Sequence, residues 1–202
     1  RALPGGQTAA QLILPKIDDE IVQGDLRLAA AVPSRSLLFN IDQKADAIGG
    51  DSTAPILEVF VKVLNELQGY YAKQGHIAEF ECDLDSRGEL EDFKKTYADI
   101  SKHSCEEDLP VIETLENETF ANAYSKHSGQ TYEECLKLFD RKREGYKVSV
   151  QSFAERVKAY IQKQVPGFRL NFFVDEVGQF IGQDSKLMLN LQTVTETLAT
   201  VC

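Results

Sequence analysis

The stretch Leu170-Asn171-Phe172-Phe173-Val174-Asp175-Glu176 runs apolar and then ends abruptly in two adjacent carboxylates. That order constrains the fold. A strand covered by helices on both faces has no room for charged side chains until its C-terminal end emerges into a crevice, so the pattern predicts a buried parallel strand that delivers Asp175 and Glu176 to such a place. Read as chemistry, the stretch is a Walker B element. The first acid, Asp175, holds Mg²⁺ through water, and the second, Glu176, polarises the water that attacks the γ-phosphate of a nucleotide. The plainer reading is a core strand that ends at a solvated Asp-Glu turn, and the local pattern does not separate the two.

Elsewhere the chain reads as alternating strand and helix. Residues 36–41 form a short apolar run with the flanking breakers of a second buried parallel strand, and its polar sequel Asp42-Gln43-Lys44 can open into the same crevice. Residues 54–71 carry Ile56, Phe60, Val63, Leu67 and Tyr71 on one helical face, with a cap among residues 51–53 and Pro55 in the first turn. Residues 152–164 predict another helix, with Ser152 and Glu155 at capping-box spacing, and this helix feeds through Pro166-Gly167 into the Leu170 strand. Strand, helix and strand in this order predict an α/β architecture.

Nearer the N-terminus, residues 3–10 read as loop, and Ile17, Ile21, Leu26 and Ala30 repeat at helical spacing interrupted by Gly24. Past the acidic pair, Gly178 and Gly182 suggest a flexible turn. Asp184 or Ser185 then caps a helix with Leu187, Leu191, Val194 and Leu198 on one face.

Residues 75–148 exceed what a plain crossover between parallel strands needs. Ile77, Phe80 and Leu84, then Phe93, Tyr97 and Ile100, then Val111, Leu115 and Tyr124 all recur at helical spacing, and Thr131 with Glu134 opens one more helix. The segment is predicted to be a helical insertion whose aromatic side chains form core.

Composition narrows the remaining classes. A length of 202 residues with 43% hydrophobic and 27% charged side chains suits one globular domain. The net charge of −10 speaks against nucleic-acid binding by bulk electrostatics. Arg141-Lys142-Arg143 is a dense basic cluster that reads first as a solvated helix end and second as a nucleotide or partner contact. No apolar run reaches membrane-spanning length and no signal-peptide pattern opens the chain, so a cytoplasmic location is expected. Cys82, Cys105, Cys135 and Cys202 lack CxxC spacing, and His76, His103 and His127 lack chelating spacing, so reduced thiols and no metal chelate built from these residues are expected.

A phosphate-binding loop needs glycines that let backbone N–H groups approach phosphate, followed by Lys and Ser or Thr. The chain has no Gly-Lys dipeptide. The nearest candidates, Gly5-Gly6-Gln7-Thr8 and Gly49-Gly50-Asp51-Ser52-Thr53, lack the lysine and read as ordinary loops. No nucleophile motif pairs a Ser or Cys with a His base either.

Three longer strings carry a family resemblance. Residues 38–46 (Leu38 to Asp46), residues 59–71 on the first long helix, and residues 173–181 together with 188–193 resemble the large P-loop ATPases of bacteriophage-exclusion (BREX) systems, the BrxC/PglY-like family. The likeness runs from about Leu14 to the end and is least diagnostic in the helical middle. It implies a partial P-loop NTPase domain over residues 1–202, AAA+-like, with 75–148 as the insertion and the phosphate loop expected upstream of residue 1. The implied activity is ATP binding and hydrolysis in a bacterial anti-phage complex, with ATP and Mg²⁺ as ligands. Asp175 then takes the Mg²⁺ role and Glu176 the catalytic one, while Lys44, Arg141 and Gln179 have no assignable role. Other BREX subunits are the implied partners, a homo-oligomer is possible, and neither membrane nor nucleic acid is indicated. The alternative is an assembly module whose insertion binds other subunits without nucleotide turnover.

Overall fold

The computed structural model describes residues 8–46, 54–104 and 117–202. Helices dominate these residues, and two strands pair in parallel. The described residues begin with the short α1 (Ala9–Ile13), started by a Thr8–Gln11 capping box, and a 3₁₀ turn at Leu14–Lys16. Residues 9 and 10 therefore start a helix where loop is predicted. Helix α2 (Glu20–Ala31) is capped by Asp19, whose carboxylate accepts from the N–H groups of Ile21 and Val22. It runs through Gly24 without a break, because one glycine costs a helix only about 1 kcal/mol.

Strand β1 (Ser34–Asn40) gives way at once to α3 (Ile41–Asp46). The predicted strand includes Ile41, but the side-chain oxygen of Asn40 accepts the N–H of Gln43 at 3.0 Å and turns the chain into a helix one residue sooner. Helix α4 (Pro55–Gln68) follows, with Pro55 at its start and Gly69 at φ 78° closing it in the left-handed conformation. Its expected cap at 51–53 lies outside the described residues.

Next come α5 (Gly75–Ser86), α6 (Leu90–Ser101), α7 (Asn117–Ser128) and α8 (Tyr132–Gly145). Thr131 and Glu134 form the expected capping box on α8, while Val111 and Leu115 lie outside the described residues. Helix α9 (Val150–Gln162) starts earlier than the Ser152–Glu155 spacing predicts. Its cap is Ser149, whose hydroxyl accepts the N–H of Ser152 and so extends the helix by two residues at its start. Strand β2 (Arg169–Asp175), α10 (Val177–Ile181) and α11 (Ser185–Val201) complete the order. Gly178 lies inside α10 where a flexible turn is expected, Gly182 (φ 52°) makes the turn, and Asp184 caps α11.

The strands pair in register from Ser34 with Arg169 to Asn40 with Asp175, which brings both C-terminal ends together. Because side chains alternate along a strand, Phe39 and Leu37 share one sheet face with Leu170, Phe172 and Val174. This face packs on α4, α9, α10 and α11 through Phe60, Phe153, Ile181 and Val194. Phe60 sits at its centre, 5.6 Å from Phe39, 6.1 Å from Phe153 and 5.4 Å from Phe172. The opposite face presents the paired Leu38 and Phe173, 79% and 53% exposed. Cover on both faces is thus met on one face only among the described residues.

Helices α5 to α8 enclose a second core. Phe80 lies within 5.5 Å of Phe93 and Phe120, 5.0 Å of Phe139 and 4.9 Å of Tyr124, mostly edge to face. Such pairs contribute roughly 0.5–1.5 kcal/mol each beyond the area they bury. The aromatic repeat in the sequence is core in this structure.

Candidate functional site

Two parallel strands that end together place their last residues side by side, and here these residues are polar. Asn40 closes β1, Asp175 closes β2 opposite it, and Glu176 follows. The side-chain nitrogen of Asn40 donates to Oε2 of Glu176 at 2.5 Å, while its oxygen is occupied by Gln43. Both ends of the amide are thereby engaged, which fixes its orientation. The N–H of Glu176 donates to Oδ1 of Asp175 at 2.9 Å, so the two acids are also linked to each other.

Glu176 adopts φ 59° and ψ 21°, left-handed backbone for a residue with a Cβ. That conformation costs on the order of 1–3 kcal/mol and is held by its surroundings. The carbonyl of Glu176 accepts from Gln179 and Phe180 at 3.1 and 3.0 Å, and these bonds start α10 immediately after the turn. The strand therefore ends, the chain turns sharply, and both carboxylates remain exposed at the sheet end.

The donor set suits a hard cation. Mg²⁺ is commonly held by one or two carboxylates with waters and phosphate oxygens filling the remaining positions, and Asp175 keeps one oxygen clear of its bond to Glu176. No group of three or more His, Cys, Asp or Glu side chains placed to hold a metal occurs among the described residues. His76 faces the ring of Tyr146, His127 lies against Phe93 and Tyr124 in the helical body, and the backbone N–H of His103 bonds the hydroxyl of Ser101.

Other residues singled out in the sequence sit as follows. Lys44 places its ammonium 2.6 Å from both oxygens of Glu66. Gln179 lies exposed in α10, one turn beyond Glu176. Arg141 bonds the carbonyl of Lys137 in α8, while Lys142 pairs with Asp83 and Arg143 with Asp140, so the basic cluster serves the helical body. Thr8 caps α1, and residues 5–7 and 49–53 lie outside the described residues.

Asn40 is the residue that the sequence reading passes over. Its signal was present: an Asn at the end of an apolar run, three residues before Gln43, is a helix-capping position as well as a strand end. Its second bond, to a residue 136 positions away, has no local trace. Among the described residues no helix is long and apolar enough to cross a membrane. The chain matches no protein-family model and no solved structure.

Proposed function

We propose that this chain forms the acid-bearing part of a P-loop ATPase with an AAA+-like core, acting in the cytoplasm within a bacterial anti-phage complex of the BREX type. One observation carries the reading. Asp175 and Glu176 stand at the C-terminal end of a parallel strand, and Glu176 is tied to Asn40 at the same end of the neighbouring strand. Ligands of open α/β sheets bind at that end of the strands. The family resemblance of residues 38–46 and 173–181 supports the same assignment.

In this reading Glu176 orients and polarises the attacking water through the oxygen that Asn40 leaves available. Asn40 acts as a positioning residue, and Asp175 holds Mg²⁺ through water. Bound Mg²⁺ neutralises charge on the phosphate oxygens of ATP. The reading requires a phosphate-binding loop, which the described residues do not supply. Magnesium-dependent ATP turnover by the intact protein, and its loss on Glu176→Gln, tests the assignment. Absence of turnover in the intact parent would overturn it.

A second reading, an assembly module within the same complex, draws on the open sheet face. Leu38 and Phe173 form an exposed apolar pair next to the acids, as a surface built for a partner would. A nucleotide-binding protein without turnover, whose Leu38 and Phe173 variants lose a partner subunit, would favour it.

A further inference from the structure

Away from the sheet end, α4, the connection to α5 and the residue following α8 enclose a cavity of about 70 Å³. Glu58, Lys62, Asn65, Lys73, Gly75 and Tyr146 contribute to its lining. One water needs roughly 10–15 Å³ by this measure, so the space takes a handful of heavy atoms. It is far below the roughly 300–1,000 Å³ of a site for a drug-sized ligand.

Lys62, Lys73 and the Asn65 amide bring donors to the lining, and Glu58 brings one carboxylate. Lys62 is only 7% exposed, and its ammonium makes no hydrogen bond or ion pair among the described residues, while both oxygens of the nearby Glu66 contact Lys44. Burial, with the charges of Lys44 and Lys73, holds the Lys62 pKa below its ordinary value, against an opposing pull from Glu66. Asn65 accepts from Nη2 of Arg156 at 2.5 Å, which leaves the Asn65 amide nitrogen as a donor. Nε of Arg156 and the side-chain nitrogen of Gln74, next to Lys73, are buried with no acceptor among the described residues.

Buried polar groups are nearly always paired, and two of the three unpaired buried side-chain atoms among the described residues, Nε of Arg156 and the side-chain nitrogen of Gln74, are donors; the third is Oε1 of Gln68. What would satisfy the donors is an acceptor that carries negative charge. Lys44, Lys62, Lys73 and Arg156 outnumber the carboxylates of Glu58, Glu66 and Glu79 among the charges that act on Lys62 and Tyr146, in a chain whose net charge is −10. The ring of Tyr146 also lies where a Cβ on Gly75 would be, 2.0 Å from that position, so the wall closes only because residue 75 has no side chain.

We propose that this cavity binds one phosphate group, free or at the end of a small phosphomonoester, with Lys62 and Lys73 supplying the charge and Arg156 fixing the Asn65 amide. A lysine that merely extends its stem from the core toward water would leave anion affinity unchanged on replacement. Lys73 is exposed, so its substitution does not put folding at stake.

The test is calorimetric titration of the 202-residue chain with potassium phosphate and with glycerol 3-phosphate, at ionic strength fixed with chloride. One-site saturation by either anion is expected, and which of them saturates identifies the source. Lys73→Met and Lys62→Met are each expected to weaken it at least tenfold, and Arg141→Met to leave it unchanged. Phosphate should raise the Tm of the parent. Lys62→Met should lose the phosphate-dependent rise. Failure of both anions to saturate, or equal affinity in the parent and Lys73→Met, would overturn the proposal.

Discussion

Asn40 and Glu176, 136 residues apart in sequence, meet where β1 and β2 end, and the amide of one holds a carboxylate oxygen of the other at 2.5 Å. A hydrogen bond to a charged group contributes roughly 1.5–3 kcal/mol, enough to decide where a carboxylate points. Asn40→Ala in the intact protein is therefore expected to lower kcat about tenfold while leaving ATP affinity within about twofold, since positioning is lost and the acid is kept. Steady-state turnover and equilibrium nucleotide binding separate the two effects. Unchanged kcat would remove Asn40 from the mechanism.

The two acids should fail differently. Glu176→Gln keeps the shape but loses the charge that polarises water, so turnover in the intact protein should fall by about 10² or more with ATP binding preserved. In the proposed reading Asp175→Ala removes the metal anchor, which matters in the ground state as well, so Mg²⁺-dependent binding should weaken too. Binding titrations with and without Mg²⁺ check this. Parental turnover in both variants would leave the assembly module as the better account.

Leu38 and Phe173 stand adjacent on the uncovered sheet face, and parallel sheets ordinarily have both faces covered. Self-association through this face and the unpaired strand edge is expected at high protein concentration. Replacing both residues with Thr keeps strand propensity and should shift the chain toward monomer in sedimentation velocity. A parent chain that stays monomeric at high concentration contradicts the expectation.

Alkaline pH should weaken the fold through its buried phenols. Burial pushes Tyr146 up to about 12 from its ordinary 10.0, and burial with the bond to Asp85 pushes Tyr70 up as well. The folded state then keeps a proton that the unfolded chain gives up, so this contribution is fully present below pH 10.0 and is lost as pH rises toward about 12. Urea midpoints measured between these values should fall, and less steeply in Tyr146→Phe. A flat profile would refute the buried phenol as its source.

Legibility in the sequence followed the range of the interactions. Helix α8 shows its cap and apolar face within a few residues, α4 its apolar face and first-turn Pro55, and the two strands their length and polar ends, so the elements follow from local pattern and their parallel pairing from the strand-helix-strand order. Boundaries moved where a side chain competed for the backbone, as Asn40 did at the end of β1 and Ser149 at the start of α9. The acids of the candidate site were visible because their chemistry is concentrated in two adjacent residues. Asn40 was not, because its second role exists only once the strands pair. The donors around Lys62 were equally hidden: they come from α4, a loop, α9 and the residue after α8.

The left-handed backbone at Glu176 sets backbone conformation and side-chain bonding against each other at one position. Glycine adopts that conformation without the Cβ penalty, so Glu176→Gly relieves on the order of 1 kcal/mol of backbone cost and loses the bond to Asn40, worth roughly 1.5–3 kcal/mol. Chemical denaturation of Glu176→Gly beside Glu176→Ala, which loses the carboxylate but keeps the Cβ, isolates the backbone part. While Asn40 is bonded to it, a chain selected for thermal endurance alone would keep this glutamate. Directed evolution for heat resistance without a functional screen should therefore reach glycine at residue 176 only in variants that have already lost Asn40.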